Sequence, residues 1–389
     1  MNHETALSQA REIADRVLAP AARENDKEGR FSTEAVDILG RVGLLGLTLP
    51  AEFGGAGLGP RTFAAVIATL AEADASVAMV YLMHICASAT IAAARPGSAV
   101  AQILKEIASG GHLSTLAFSE SGSRSHFWAP VSRARPNGTG VRITAKKSWV
   151  TSAGCAQSYV ISSLAPEGTG PTDSTLYLVP AGVGGLSVEG SWDGVGLRAN
   201  ASAPMMFDDC EVPYELQLTN DGAGFQAMLN VVLPQFNLGM ASVALGLCRA
   251  VVAATAAHLK NARFEHLGQS LGESLPTLRA QLAMMQIDTD GLSARVDDLV
   301  EHLERPRDTT DATTRAGNQG RRRRHSHRRH FNGDAGVRWC GVFQAIDHRA
   351  SVARCSRRRR DGADERRPAG IHRKGGLRNA ALLIPCAQH

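Results

Sequence analysis

From residue 4 to residue 110 the apolar positions recur at three- and four-residue spacing, as on one face of a helix. Ala6, Ile13, Val17 and Leu18 begin such a stripe, and Pro20 is expected to break it. Ser32 stands at a natural N-cap position, with Glu34 placed to favour the helix dipole. Val36, Ile38, Leu39 and Val42 follow, and Gly43 offers a stop. Phe63, Val66, Ile67 and Leu70 mark another helix face, and residues 76–94 read as a long, nearly uncharged helix buried on most sides. Between 113 and 215 the period changes to two: Val141-Arg142-Ile143-Thr144-Ala145 alternates as a half-buried strand does. Short apolar runs at 159–161, 175–179, 186–188 and 205–207 are separated by Gly- and Pro-rich turns, which predicts a small β-barrel or sandwich. Helix returns over 223–304, with a mostly apolar run from Phe225 to Ala262 interrupted at Pro234 and a second from Leu275 to Leu303. The expected class is α+β: an N-terminal helical domain (1–112), a middle small β-barrel (113–222), an incomplete C-terminal helical bundle (223–304) and an aberrant Arg-rich tail (305–389).

Candidate chemistry gathers where the period is two. One stretch is Leu116-Ala117-Phe118-Ser119-Glu120-Ser121-Gly122-Ser123-Arg124-Ser125, a strand running into a Ser/Gly turn. The other is Lys147-Ser148-Trp149-Val150-Thr151-Ser152-Ala153-Gly154, which sets an indole beside a β-branched hydroxyl. A flat redox ring needs such a set, with one face packed and its edge atoms hydrogen-bonded. Each residue also has an ordinary explanation: Trp149 as a plug of the barrel, Ser119 and Ser125 as turn hydroxyls. The glycine-rich stretch 49–59 lacks the strand, helix and Lys-Ser/Thr context of a phosphate loop, so it reads as a tight interhelix connection.

In order and spacing, the two stretches resemble the flavin-contacting segments of the acyl-CoA dehydrogenase family, usually Thr-Glu-Pro-x-Ala-Gly-Ser-Asp and Lys-x-Trp-Ile-Thr-Asn. Ser119, Glu120 and Ser125 carry the first, and Lys147, Trp149, Val150 and Thr151 the second. The runs 194–198 and 207–213 resemble the family's Gly-Leu-Arg and Phe-x-Asp-Val-x-Val-Pro signatures, and Arg263 with Leu267, Gly268 and Leu271 its Arg-x-x-Phe-Gly-x-x-Leu hairpin without the aromatic. The likeness covers about residues 5–304. It implies FAD as cofactor, held by Phe118, Ser119, Trp149, Val150 and Thr151, with Thr151 nearest N5. It places Ser125 where cofactor and thioester meet, and Arg263 on the adenosine-diphosphate part of a partner subunit's flavin. The implied reaction is α,β-dehydrogenation of an acyl-CoA, with a flavoprotein or oxygen as electron acceptor and a homo-oligomeric assembly. The catalytic base is not identified: one family position falls near Phe236, between Gln235 and Asn237, and none of these is a base near neutral pH. A flavin-dependent monooxygenase of the same fold, which needs no such glutamate, is the alternative enzyme; a catalytically inactive chain with a nucleic-acid-binding tail is the other alternative.

The totals refine this picture. No apolar run approaches the ~20 residues of a membrane span, and no apolar signal core accompanies Glu4, Arg11 and Glu12. Seven cysteines without a Cys-x-x-Cys pair argue against a disulfide framework or a metal site and fit a reducing cytoplasm. The net charge of +5 is an average of two unlike parts. Residues 305–389 hold 20 arginines and 1 lysine against 7 acidic residues, a net +14; the remaining 21 basic and 30 acidic residues give −9. Runs such as Arg321-Arg322-Arg323-Arg324 could neutralise phosphates, but the want of interleaved aromatics and of a recognisable fold argues against nucleic acid as a partner. The family's Gln-x-x-Gly-Gly-x-Gly segment and glutamate are also missing there. GC-rich codons shifted by one base yield many arginines, and we read this stretch as out of frame. Translating the other two frames checks it: one should restore an apolar helical repeat, and failure of both removes the reading.

Overall fold

The structure is a computed structural model that describes residues 1–94, 97–123 and 126–305. The chain divides into units Met1–Asp308 and Thr309–His389; the Arg-rich tail, with the frame reading placed on it, lies outside the described residues, as does Ser125. Six helices come first: α1 (His3–Ile13), α2 (Ala19–Glu28), α3 (Thr33–Arg41), α4 (Pro60–Ala73), α5 (Ala75–Ala92) and α6 (Ser98–Ala108). Seven strands follow: β1 (Ser114–Ala117), β2 (Arg135–Pro136), β3 (Gly140–Val150), β4 (Ser158–Leu164), β5 (Ser174–Pro180), β6 (Leu186–Val188) and β7 (Ala203–Pro213). Then come α7 (Gly224–Ala227), α8 (Leu233–Asn261), a two-stranded hairpin β8 (Arg263–Phe264) and β9 (Gln269–Ser270), α9 (Leu271–Ser274) and α10 (Pro276–Glu304).

Neither proline breaks its helix, contrary to the sequence expectation. A π turn at Ala14–Leu18 joins α1 to α2, and another at Met228–Val232 joins α7 to α8. Pro20 and Pro234 each follow such a turn, in the first positions of the next α-helical segment. The wider turn lets the missing N–H and bulky ring fall where the i→i−4 ladder has already been reset. Gly246 of α8 crosses α4 so closely that a Cβ would strike the Ala68 carbonyl oxygen, and a Cβ at Gly239 would strike Leu82 of α5. Ser32 does precede α3, though its side chain makes no cap bond.

Two helical stretches, α5 and Gly224–Asn261, are long and apolar enough to cross a membrane, with mean hydropathies of 1.6 and 1.7. This corrects the reading that no run approaches such a length; uncharged Ser, Thr and His interrupt the apolar pattern without lowering it enough. In α5, 78% of that window is buried inside the protein, against 33% in the second stretch.

Strands β1 to β7 form two sheets, in the orders β1-β4-β5 and β2-β3-β7-β6, apart from the β8-β9 hairpin. Bridges Glu120↔Lys147 and Arg133↔Leu164 and an edge-to-face contact of Tyr159 with Phe207 at 6.3 Å link them, so the β unit is an open, two-sheet version of the expected barrel. Strand β3 shows the predicted alternation, with Val141, Ile143 and Ala145 inward.

His84 fastens the helices to the sheet. Wholly buried on α5, it reaches the Leu45 carbonyl at 3.0 Å through Nε2 and accepts the Ser114 N–H at 3.1 Å through Nδ1. Burial lowers its pKa from 6.5 to about 4, against the raising effect of its backbone bonds. The native ring is therefore neutral where the unfolded ring is protonated, and stability should fall as the pH drops from 6.5 towards 4. The loss should be roughly 3 kcal/mol for one such group. Urea unfolding across that window should show the slope in the unaltered chain and a flatter profile in His84→Gln; equal slopes would remove His84 as its source.

Candidate functional site

The two motif stretches meet at a seam between the sheets. Phe118 and Ser119 continue β1, and the Ser119 carbonyl accepts the Ser148 N–H at 2.8 Å. A register shift between Lys147 and Val150 in the pairing of β3 with β7 turns Trp149 outward. Its indole is half exposed and meets Trp192 edge to face at 5.2 Å, while Val150 is fully buried. Thr151 lies just past the strand end, 7% exposed, with its hydroxyl 3.3 Å from that of Ser202. The next residue, Ser152, adopts φ +60°, and its N–H donates to the Asn200 carbonyl at 3.0 Å. The Ser152 hydroxyl is buried with no hydrogen-bond partner among the described residues.

Beneath the seam lies an ion pair whose two members appear in the sequence as motif letters, not as partners. Lys147 is completely buried and Glu120 is 3% exposed. Lys147 Nζ donates to Glu120 Oε1 at 2.6 Å, to the Ser162 carbonyl at 2.5 Å and to the Phe118 carbonyl at 3.3 Å. Glu120 also accepts the Ser132 hydroxyl at 2.6 Å and the N–H groups of Val131 and Ser132 at 2.9 Å each. Burial raises the Glu120 pKa, but the Lys147 ammonium and the surrounding donors outweigh it and hold the carboxyl below its ordinary value. Burial pulls Lys147 below the usual lysine range, against the stabilising charge of Glu120. A carboxylate accepting four donors is the ionised form, so the pair is charged at neutral pH. The signal was present in the pattern: Lys147 shares the inward parity of Val141, Ile143 and Ala145.

Sequence reasoning also missed an aromatic chain that reaches α7. His126 lies 5.4 Å from Trp128 between ring centroids, and Trp128 lies 5.6 Å from Phe225 of α7. Gln235, Phe236 and Asn237 sit in the first turns of α8, where the Gln235 side-chain oxygen is buried without a partner among the described residues. Arg263 is exposed on β8, past the far end of α8, with its side chain 3.4 Å from the Gly268 carbonyl. One chain thus brings together Phe118, Ser119, Trp149, Val150 and Thr151 and leaves Arg263 apart from them.

A seam offering a half-exposed indole, a buried threonine hydroxyl with bonding capacity to spare and an adjacent unpaired hydroxyl suits the edge and face of a flat heterocycle. Helices, two small sheets and helices again, with that seam between them, define the class of protein. Residues 1–111 match the acyl-CoA dehydrogenase N-terminal domain, and residues 115–210 match the middle domain of the same family. The chain is 29% identical over 251 residues to the mitochondrial short-chain specific acyl-CoA dehydrogenase of Mus musculus, a match covering 64% of this chain and 60% of that protein. Its fold resembles that of butyryl-CoA dehydrogenase from Megasphaera elsdenii, with a TM-score of 0.71 and 21% identity over 76% of this chain and 78% of the other. It also resembles the FAD complex of PigA, with a TM-score of 0.68 and 18% identity over 76% of each chain. The chain belongs to the acyl-CoA dehydrogenase family. It spans about 60% of the length of the short-chain relatives it matches.

Deleting one partner of a fully buried ion pair leaves the other charge uncompensated, at a cost of about 3–5 kcal/mol. Lys147→Met should therefore melt far below the unaltered chain, and Lys147→Met with Glu120→Gln should regain part of the loss. Calorimetry of the two variants measures this; a single variant that melts like the unaltered chain contradicts the pair's charged state.

Proposed function

We propose that the chain is an FAD-dependent oxidoreductase of the acyl-CoA dehydrogenase type, acting on an acyl-CoA thioester. The observation that carries this reading is the joining of the two motif stretches at one seam, with the Ser148 N–H on the Ser119 carbonyl and Thr151 buried beside it. When bound, the flavin supplies a hydride acceptor for the substrate β-carbon. Phe118 would give apolar packing, Ser119 and Thr151 hydrogen bonds to the ring edge, and Trp149 an aromatic wall, with the fully buried Val150 backing them from the core. Ser125 is assigned to the junction of cofactor and thioester, and Arg263 to the adenosine-diphosphate part of a partner subunit's flavin in a homo-oligomer. An electron-accepting flavoprotein completes the turnover.

Removal of the α-proton needs a base, and no ionisable side chain stands at residues 235–237. That observation favours a second reading, a flavin-dependent monooxygenase of the same fold, in which reduced flavin and oxygen act without such a base. Purified full-length chain should carry FAD as its own colour. Bleaching by an acyl-CoA in the absence of other reductant supports the dehydrogenase; no bleaching, with oxygen uptake after chemical reduction, supports the monooxygenase; no FAD at all overturns both.

Thr151→Val keeps the side chain's shape and removes its hydroxyl. A buried polar atom left unpaired costs roughly 1–3 kcal/mol, so FAD binding should weaken by about tenfold to a hundredfold, with a shifted visible spectrum. Unchanged affinity and spectrum, measured by titration of the apoprotein, would take Thr151 out of the site.

A further inference from the structure

We propose that Lys147 and Glu120 are positioning residues of the flavin seam, fixing the register between its two halves rather than only filling the core. The inference rests on the flavin reading. Lys147 is bonded to both neighbours of Ser119: to the carbonyl of Phe118 before it and to the carboxylate of Glu120 after it. The residue following Lys147 holds Ser119 itself, through the Ser148 N–H. Ser119 is thus gripped on three consecutive residues by one corner of β3, and it cannot slide along that strand without breaking all three contacts. The third proton of the ammonium goes to Ser162 on β4, which ties the corner to the other sheet.

The same corner governs the second half of the seam. The register shift that turns Trp149 outward begins at Lys147, and Thr151 follows within four residues. Anchoring Lys147 therefore sets where the irregularity starts and which way the indole faces. Glu120 extends the clamp to Val131 and Ser132, on the segment that leads from the first motif to β2. An apolar pair of similar volume would fill this space at lower desolvation cost. Only a group with three donors can hold two carbonyls and a carboxylate at once. The directional bonds, not the burial, are what the seam needs.

The pair is also electrically balanced next to the proposed ring position. Loss of the ammonium leaves a carboxylate one residue from Ser119, and a fixed negative charge makes adding electrons to the neighbouring ring harder. A role confined to core stability would lower the melting temperature and leave the properties of bound FAD untouched.

The test uses the full-length chain with FAD as probe, well below the melting temperature of each apoprotein. Lys147→Met should bind FAD at least about tenfold more weakly, the change expected when bonds to a charged group no longer hold the site. Its flavin midpoint potential should move to more negative values. Ser132→Ala removes one bond to Glu120 and keeps both charges; it should weaken FAD binding by a smaller factor without the drop in potential, and it decides the matter where Lys147→Met does not fold. Adding Glu120→Gln to Lys147→Met removes the stranded charge and should return the potential towards that of the unaltered chain, with FAD still weakly held. FAD affinity within twofold of the unaltered chain, in Lys147→Met or, where that does not fold, in Ser132→Ala, overturns the inference. An unaltered chain that takes up no FAD overturns the flavin reading itself, which separates the two failures.

Discussion

A lysine with no solvent contact, bonded to a carboxylate and two carbonyl oxygens, is the constraint on which the middle of this protein depends. Removing two charges from water costs several kcal/mol per ion, and the cost is offset only when every remaining donor and acceptor is satisfied. Here it is: three protons of Lys147 meet three oxygens, and Glu120 receives four donors. These bonds run to the extension of β1, to β4 and to the segment at 131–132. The two sheets, which share few ladder contacts, are therefore held at this point by directional bonds as well as by apolar burial.

The helices supply what the sheets cannot, a thick core to back the seam. Tyr81 donates to the Leu44 carbonyl at 2.8 Å, and His84 reaches both Leu45 and Ser114. The start of β1 is thus pinned to α5, while its end is pinned by Lys147. Only residues 115–117 lie between Ser114 and Phe118, too few to absorb a shift of either. Close helix crossings at Gly239 and Gly246 bring α8 onto the same frame.

Much of this was legible. Period alone separated the helical stretches from the β unit and found the inward face of β3, and the spacing of the two motif stretches pointed to one site. What stayed hidden depends on non-local contacts. Lysine and glutamate are almost never fully buried unless paired, so Lys147 and Glu120 read only as motif letters until the fold supplied each with the other. Pro20 and Pro234 read as breaks because a π turn has no sequence signal of its own. Ala35 is fully buried on α3, yet its small side chain marks no stripe. The Trp128–Phe225 contact joins residues almost a hundred apart, and no local pattern predicts it.

The outer part of the α8–α10 hairpin obeys a different balance. Val251, Met284 and Ile287 are exposed there, whereas Val296 and Val300, nearer the body, are buried. An apolar helix face in water gains nothing from propensity alone; most helical stability comes from packing against another surface. The inner half of each helix meets that condition against α4, and the outer half, among the described residues, does so against its own partner. The +14 stretch beyond residue 304 has neither the apolar period nor the low charge that such a face would select. The seam between the two motif stretches, by contrast, draws its fixed points from α5, β1, β3 and β4. Its geometry therefore does not depend on how the outer hairpin is covered.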